Sequence, residues 1–239
     1  MMHEANAQSI ARECKGCGGI HEESNESSHN QFKCASENTR YKARMSSMWK
    51  TPLLGSLVFS IWRADARRKL ALAKPWISRE RRLLEVGSGP GSVLVEFRKA
   101  GFQIDAVDVT DTSYSPALAP TLYDGQRMPY ANDAYDTALL LTVLHHTSNP
   151  DDILMETARV ARRIIILEDV YDGPWQRKYT KVADSLTNLE FFGHPHSNRS
   201  DAEWRNSFAR QNLTLVHGAV HPFAAFFKQA LYVVEKRDA

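Results

Sequence analysis

Cysteine is scarce in this chain, with three residues in 239, all before position 35. An odd and clustered trio does not make the paired framework of a small secreted fold. Long apolar runs are missing too. The longest near the start, Pro52–Trp62, is too short to span a bilayer. Residues 1–45 are polar throughout and hold no apolar core of a secretory leader. A cytoplasmic protein is therefore expected. A hydrophobic content of 43% is enough to bury a substantial core, so no disulfide or metal staple is needed. The length suits one α/β domain with an added N-terminal segment.

The net charge is only +2, but it is unevenly spread. Arg40–Arg82 carries twelve Lys or Arg against two acids, Asp65 and Glu80. Such a stretch is usually a solvated helix face, yet it could also meet an anionic substrate or a membrane surface. Peripheral membrane contact through residues 46–82 is kept as an expectation.

Three regions follow from the patterning. Residues 1–45, rich in Ser, Asn, Glu and His, read as a polar arm. Residues 46–81 read as a helical cap, because Trp49, Leu53, Leu57, Ile61 and Leu70 recur at helical spacing until Pro75. Residues 82–239 alternate strands with helices. Strands are expected at Arg82–Val86, Gln103–Val109, Thr121–Tyr123, Tyr135–Leu141, Arg163–Glu168, Leu213–His217 and Ala230–Glu235. Helices are expected at Val93–Ala100, Asp151–Arg162 and Asp201–Arg210. Continuous apolar strands between helices imply a parallel sheet covered on both faces, in a doubly wound α/β fold.

The first strand leads into Glu85-Val86-Gly87-Ser88-Gly89-Pro90-Gly91. Glycine is needed there because the turn is tight and a ligand must approach bare backbone. About twenty residues on, Asp108 closes the second strand, where a carboxylate can accept both hydroxyls of a ribose. Dinucleotide sites favour G-x-G-x-x-G, with a pyrophosphate at the helix N-terminus. Here the spacing is G-x-G-x-G and position 92 is Ser. Glu85 would repel a pyrophosphate and attract the ammonium of a methionine moiety, so the charge logic favours S-adenosylmethionine over a nicotinamide dinucleotide.

These residues resemble motif I of the class I S-adenosylmethionine-dependent methyltransferases. Tyr123-Asp124-Gly125-Gln126-Arg127-Met128-Pro129-Tyr130 and Tyr135-Asp136 are similar to that family's adenine-contacting segment and fourth strand. Leu144-His145-His146 and Ala158-Arg159-Val160 are similar to the subgroup that includes the ubiquinone-biosynthesis methyltransferases. The resemblance implies a Rossmann-like, mostly parallel seven-stranded sheet with an antiparallel C-terminal strand. It implies that Glu85, Gly87, Ser88, Gly89 and Gly91 hold the methionine end, that Asp108 binds the ribose, and that Asp124 and Gly125 meet the adenine. Leu141, Thr142 and His146 fall where the family lines the methyl-donor side. The chain departs from the pattern at Thr110–Pro120, which lacks a helix, and at Ala161-Arg162-Arg163, which replaces a Lys-Pro-Gly-Gly turn.

Ligands in such sheets lie beyond the carboxyl ends of the strands. That expectation puts the methyl acceptor near Glu168, Asp169, Tyr171 and Trp175. His194-Pro195-His196 supplies two groups that titrate near neutrality. Either His194 or His196 is a candidate general base with Asp169 as its orienting partner, and His146 is the rival. The acceptor is expected to be a small molecule, aromatic or lipid-like. No Asn-Pro-Pro-Tyr-like motif follows the fourth strand, where Leu141-Thr142-Val143-Leu144 stands, so no nucleic-acid substrate is expected. Cys14, Cys17 and Cys34 with His21 or His29 offer zinc-ligand chemistry, but no fourth ligand follows Cys34 at a standard spacing, so no metal is expected. Two other readings stay open: an NAD(P)-dependent oxidoreductase, and a non-catalytic binding subunit on the same fold.

Overall fold

Each apolar run between helices becomes a strand of one sheet. The computed structural model describes residues 51–78, 81–171, 173, 197–223 and 227–237. Its strands are β1 (Arg82–Val86), β2 (Gln103–Asp108), β3 (Thr121–Leu122), β4 (Tyr135–Leu141), β5 (Ala161–Val170), β6 (Leu213–Phe223) and β7 (Phe227–Lys236). They lie in the order β3-β2-β1-β4-β5-β7-β6. The first five pair in parallel, and β7 runs antiparallel between β5 and β6. The doubly wound α/β class expected from the sequence is the one observed.

Four α-helices accompany the sheet among the described residues: α1 (Pro52–Ala73), α2 (Ser92–Lys99), α3 (Pro150–Val160) and α4 (Asp201–Arg210). Side chains alternate across a strand, so each strand feeds two cores. Leu84, Val86, Leu140, Ile164 and Ile166 pack with Leu154 and Ala158 of α3 and with Trp204 and Phe208 of α4. Leu83, Leu139, Leu141, Ile165 and Leu167 pack with Phe59, Ala66 and Ala73 of α1 and with Val93, Leu94 and Phe97 of α2. Helices on both faces explain why β4 and β5 carry almost no polar residue in their centres.

Among its described residues the cap region forms one α-helix, α1, and of those that suggested its apolar face only Leu70 packs against the core. Leu53, Leu57 and Ile61 are exposed, Leu53 to 90%. Gly55, Phe59, Ala66 and Ala73 are the buried positions instead. Two contacts, one polar and one aromatic, fasten the helix. Arg63 Nε donates to the buried Glu96 Oε1 of α2 at 2.6 Å. The Phe59 ring stacks on Tyr114 with centroids 4.1 Å apart.

Element ends differ from expectation where tertiary pairing decides them. The helix expected at Asp151–Arg162 stops at Val160, and β5 begins at once, because Ala161 pairs with Tyr135 of β4. No turn stands there, which accounts for the missing Lys-Pro-Gly-Gly. β6 runs on to Phe223, six residues beyond the expected His217, held by its antiparallel ladder with β7. Between β2 and β3 only a short 3₁₀ turn, Pro116–Leu118, is formed. The polar arm of residues 1–45, with Cys14, Cys17, Cys34, His21 and His29, lies outside the described residues.

Candidate active site

The glycine turn joins β1 to α2 at the carboxyl edge of the sheet. All three of its glycines have positive φ: 77° at Gly87, 49° at Gly89 and 82° at Gly91. Their surroundings separate their roles. A Cβ on Gly87 would stand 2.6 Å from Val143, and one on Gly91 2.8 Å from Leu118, so these two let neighbouring segments close in. A Cβ on Gly89 would meet nothing within 4 Å. Gly89 is therefore the position with open space for a ligand above its backbone.

Glu85 lies at the end of β1 and is buried. Its Oε2 accepts no hydrogen bond among the described residues, and the buried Ser88 Oγ is likewise without one. Burial pushes the Glu85 carboxyl well above the usual carboxylate range, and Lys69 pulls it partly back. Buried polar atoms without partners are costly, and in a native fold they await an explanation such as a ligand. A ligand ammonium over Gly89 would satisfy both, so the residues present fit the amino-acid end of S-adenosylmethionine.

Asp108 closes β2 beside this turn. Its Oδ2 accepts the Gly89 N–H at 3.0 Å and its Oδ1 the Thr110 N–H at 3.3 Å. Burial raises its pKa, opposed by those backbone donors. The carboxylate thus braces the glycine turn. Asp124 spends Oδ1 on its own turn, accepting from Gln126 N at 2.8 Å and Arg127 N at 2.9 Å, and these N–H groups hold its carboxyl below the usual range. Gly125 follows with φ 82°, the left-handed conformation that the turn requires.

At the end of β4, Leu141 is buried and Thr142 adopts φ 64°, a strained setting for a β-branched residue. Its N–H is tied to Leu167 O at 2.7 Å, and Lys69 Nζ of α1 donates to its hydroxyl at 2.8 Å. Beyond it, Glu168 at the end of β5 is fully buried and turned toward the chain rather than outward. Its Oε1 accepts Val143 N at 2.9 Å and Leu144 N at 2.7 Å, and its Oε2 lies 2.5 Å from His145 Nδ1. Glu168 therefore caps the turn that carries His145 and His146. The two imidazoles lie with centroids 4.1 Å apart, His145 buried and His146 half-buried.

Asp169, on the opposite face of β5, is half-buried and accepts from Gln229 Nε2 of β7 at 2.8 Å. Gln229 in turn accepts from Arg68 of α1 through its Oε1 at 2.5 Å. Tyr171 donates to Glu203 at 3.0 Å, at an exposed contact. Trp175, His194 and His196 lie outside the described residues. No group of three or more His, Cys, Asp or Glu among the described residues suits a metal ion.

Glu85, Gly89, Asp108, Leu141 and Thr142 thus stand at the carboxyl ends of β1, β2 and β4, on one edge of the sheet. Two participants escaped the sequence reading. Lys69 sits in a run of cations with nothing local to single it out. His145 was visible only as one of a histidine doublet, and its partner Glu168 stands 23 residues away.

A model of the methyltransferase domain family matches residues 59–218. No curated protein matches the sequence significantly. Among solved structures, the chain is similar to an S-adenosylmethionine-dependent methyltransferase of Methanosarcina mazei at 12% identity and TM-score 0.56, covering 69% of this chain and 96% of that one. It is also similar to the magnesium protoporphyrin IX methyltransferase of Synechocystis with bound S-adenosylhomocysteine, at 16% identity and TM-score 0.52, covering 73% and 83%. A methyltransferase of Aquifex aeolicus gives 16% identity and TM-score 0.50, covering 69% and 88%.

Proposed function

The chain belongs to the methyltransferase domain family, and we propose that it is an active S-adenosylmethionine-dependent methyltransferase acting on a small aromatic or lipid-like molecule. One observation carries the reading: among the described residues the buried Glu85 Oε2 and Ser88 Oγ lack partners, in the same turn whose Gly89 has open space above it. An anionic acceptor at that point suits an amino-acid ammonium and opposes a pyrophosphate, which disfavours the NAD(P)-dependent alternative.

In this reading Glu85, Gly87, Ser88, Gly89 and Gly91 form the methionine pocket. Asp108 binds the ribose, Asp124 and Gly125 meet the adenine, and Leu141, Thr142 and His146 line the donor side. When bound, S-adenosylmethionine supplies a methyl group on a sulfonium for in-line displacement. The protein's contribution is alignment and exclusion of water. Glu168 and His145 hold the β4 turn rigid, which fixes the direction from which His146 can meet an acceptor. His194 and His196 are proposed as alternative bases. For them Asp169 would act as orienting partner from its hydrogen bond with Gln229. A base is needed only for a phenol, alcohol or ammonium acceptor.

The division into an arm at 1–45, a cap at 46–81 and a methyltransferase domain at 82–239 belongs to the same proposal, as does a cytoplasmic location. The exposed Leu53, Leu57 and Ile61 on α1 support contact with a lipid-like acceptor or the membrane that holds it. No helix among the described residues is long and apolar enough to cross a membrane. Incubation with methyl-labelled S-adenosylmethionine and separate panels of phenols, quinols and lipid extracts tests the reading. Label is expected in an organic-soluble product. Cofactor binding with no transfer to any panel would favour the non-catalytic subunit.

A further inference from the structure

The cap helix α1 brings to the carboxyl end of β4 a cation that the motifs do not provide. Arg63 and Arg67 reach the buried Glu96 of α2, at 2.6 and 3.6 Å, and fix the one helix against the other. Two residues beyond Arg67, the Lys69 side chain is only 12% exposed. Its Nζ donates to Thr142 Oγ1 at 2.8 Å, lies 3.1 Å from Asp65 Oδ2 and 3.4 Å from Leu141 O. Thr142 is held in its left-handed conformation at the same point, with its hydroxyl bonded to Leu141 O. Strain of this kind persists where the surroundings demand it, and it gathers at ligand sites.

Lys69 and Glu85 are electrostatic neighbours, since Lys69 is the main charge drawing the Glu85 carboxyl back down. No hydrogen bond joins them, and Glu85 Oε2 accepts none among the described residues. A cation so near would repel a lone ligand ammonium from Glu85. The conflict disappears if the ligand brings its own anion. An α-amino acid carries an ammonium and a carboxylate on one carbon, and an acid and a base side by side are its complement.

We infer that Lys69 binds the α-carboxylate of the cofactor's methionine moiety while Glu85 takes its ammonium, so that α1 closes the cofactor site as well as capping it. This rests on the cofactor reading above. The bland alternative is that Lys69 only completes a helical ion pair with Asp65, four residues earlier.

A double-mutant cycle between protein and ligand separates the two. Calorimetry is performed on the full chain and on Lys69→Met, with S-adenosylhomocysteine and with its analogue lacking the α-carboxylate. Lys69→Met should weaken S-adenosylhomocysteine roughly ten- to a hundredfold, and removal of the carboxylate should weaken wild type by a similar factor. The variant should then bind both ligands alike, because each change removes the same contact. Lys69→Arg should retain most of the discrimination. The inference fails if the two losses multiply, or if Lys69→Met holds S-adenosylhomocysteine as wild type does. Should Lys69→Met not fold, wild type alone decides, since equal affinity for the two ligands overturns the inference. Wild type that binds neither ligand overturns the cofactor reading along with it.

Discussion

The Gly89 N–H donates to Asp108 Oδ2 across 3.0 Å, and this bond ties the glycine turn after β1 to the acid that ends β2. A ligand lying over Gly89 therefore meets a turn already shaped by the residue proposed to hold its ribose. Preorganisation of that kind reduces what binding must spend on ordering the loop.

Asp108→Ala should consequently lose more than a ligand contact. Cofactor affinity is expected to fall by about 2–4 kcal/mol, since charge-assisted bonds are the strong ones. Titration of the folded variant with S-adenosylhomocysteine checks it. Unchanged affinity would leave Asp108 as a brace of the turn alone.

Glu85 makes a prediction in pH. Burial raises its pKa well above the usual glutamate value of 4.5, with a repulsive contribution from Asp108. A group whose folded pKa is raised binds its proton more tightly when folded, so its stabilising contribution is full below the unfolded pKa. That contribution is lost as pH rises from about 4.5 toward the raised folded value. The ligand-free chain should therefore lose stability across this window, and Glu85→Gln should lose less. Urea midpoints at a series of pH values measure the difference. Binding of a cationic ammonium should reverse the shift and release protons, read from calorimetry in buffers of different ionisation enthalpy. Glu85→Gln should abolish that release and weaken S-adenosylhomocysteine roughly tenfold or more.

Glu168 is expected to matter for stability. It accepts two backbone N–H groups and lies 2.5 Å from the His145 ring in a fully buried place. Glu168→Ala strands those groups and should cost about 2–4 kcal/mol, while Glu168→Gln, which keeps one acceptor oxygen, should cost less. Urea denaturation of both variants distinguishes this from a role for Glu168 in touching the acceptor, which would lower turnover in Glu168→Gln at unchanged stability.

Much of this architecture was legible in the sequence, and the exceptions have a common cause. β1 and β4 begin and end at the expected residues, β1 closed by Gly87 and β4 entered from the Asn132-Asp133 turn and followed by Thr142. α4 does so because Ser200 and Glu203 form a capping box at its start. β6 runs past its expected end and β5 starts before its expected start because these ends are set by pairing with other strands, Phe223 with Phe227 and Ala161 with Tyr135. On α1 the apolar spacing pointed to Leu53, Leu57, Ile61 and Leu70; Leu70 packs on the core, but Leu53, Leu57 and Ile61 are exposed and Gly55, Phe59, Ala66 and Ala73 are buried in their place. Within the site, the glycine turn and Asp108 declare themselves by spacing along one βαβ unit. Lys69 does not, because its place depends on how a separate helix lies across the sheet.

The acceptor side yields a kinetic prediction. If a histidine removes a proton, its loss should cut turnover by about 10²–10⁴-fold with cofactor affinity intact. His194→Ala, His196→Ala and His146→Ala, assayed on the identified acceptor, assign the role. Loss confined to His146→Ala would fit the braced β4 turn and discard the His194-Pro195-His196 loop as the source of the base. Wild-type turnover in all three would mean that positioning alone carries the transfer.

Cofactor choice is the claim on which everything else rests, and a paired calorimetric titration of the full chain tests it most directly. S-adenosylhomocysteine should bind in the micromolar range, about −8 kcal/mol, with NAD and NADP showing no comparable heat. In Glu85→Lys the preference should shrink or invert, because the charge that welcomes an ammonium and repels a pyrophosphate is reversed. NAD binding to the wild-type chain as tightly as S-adenosylhomocysteine would contradict the account.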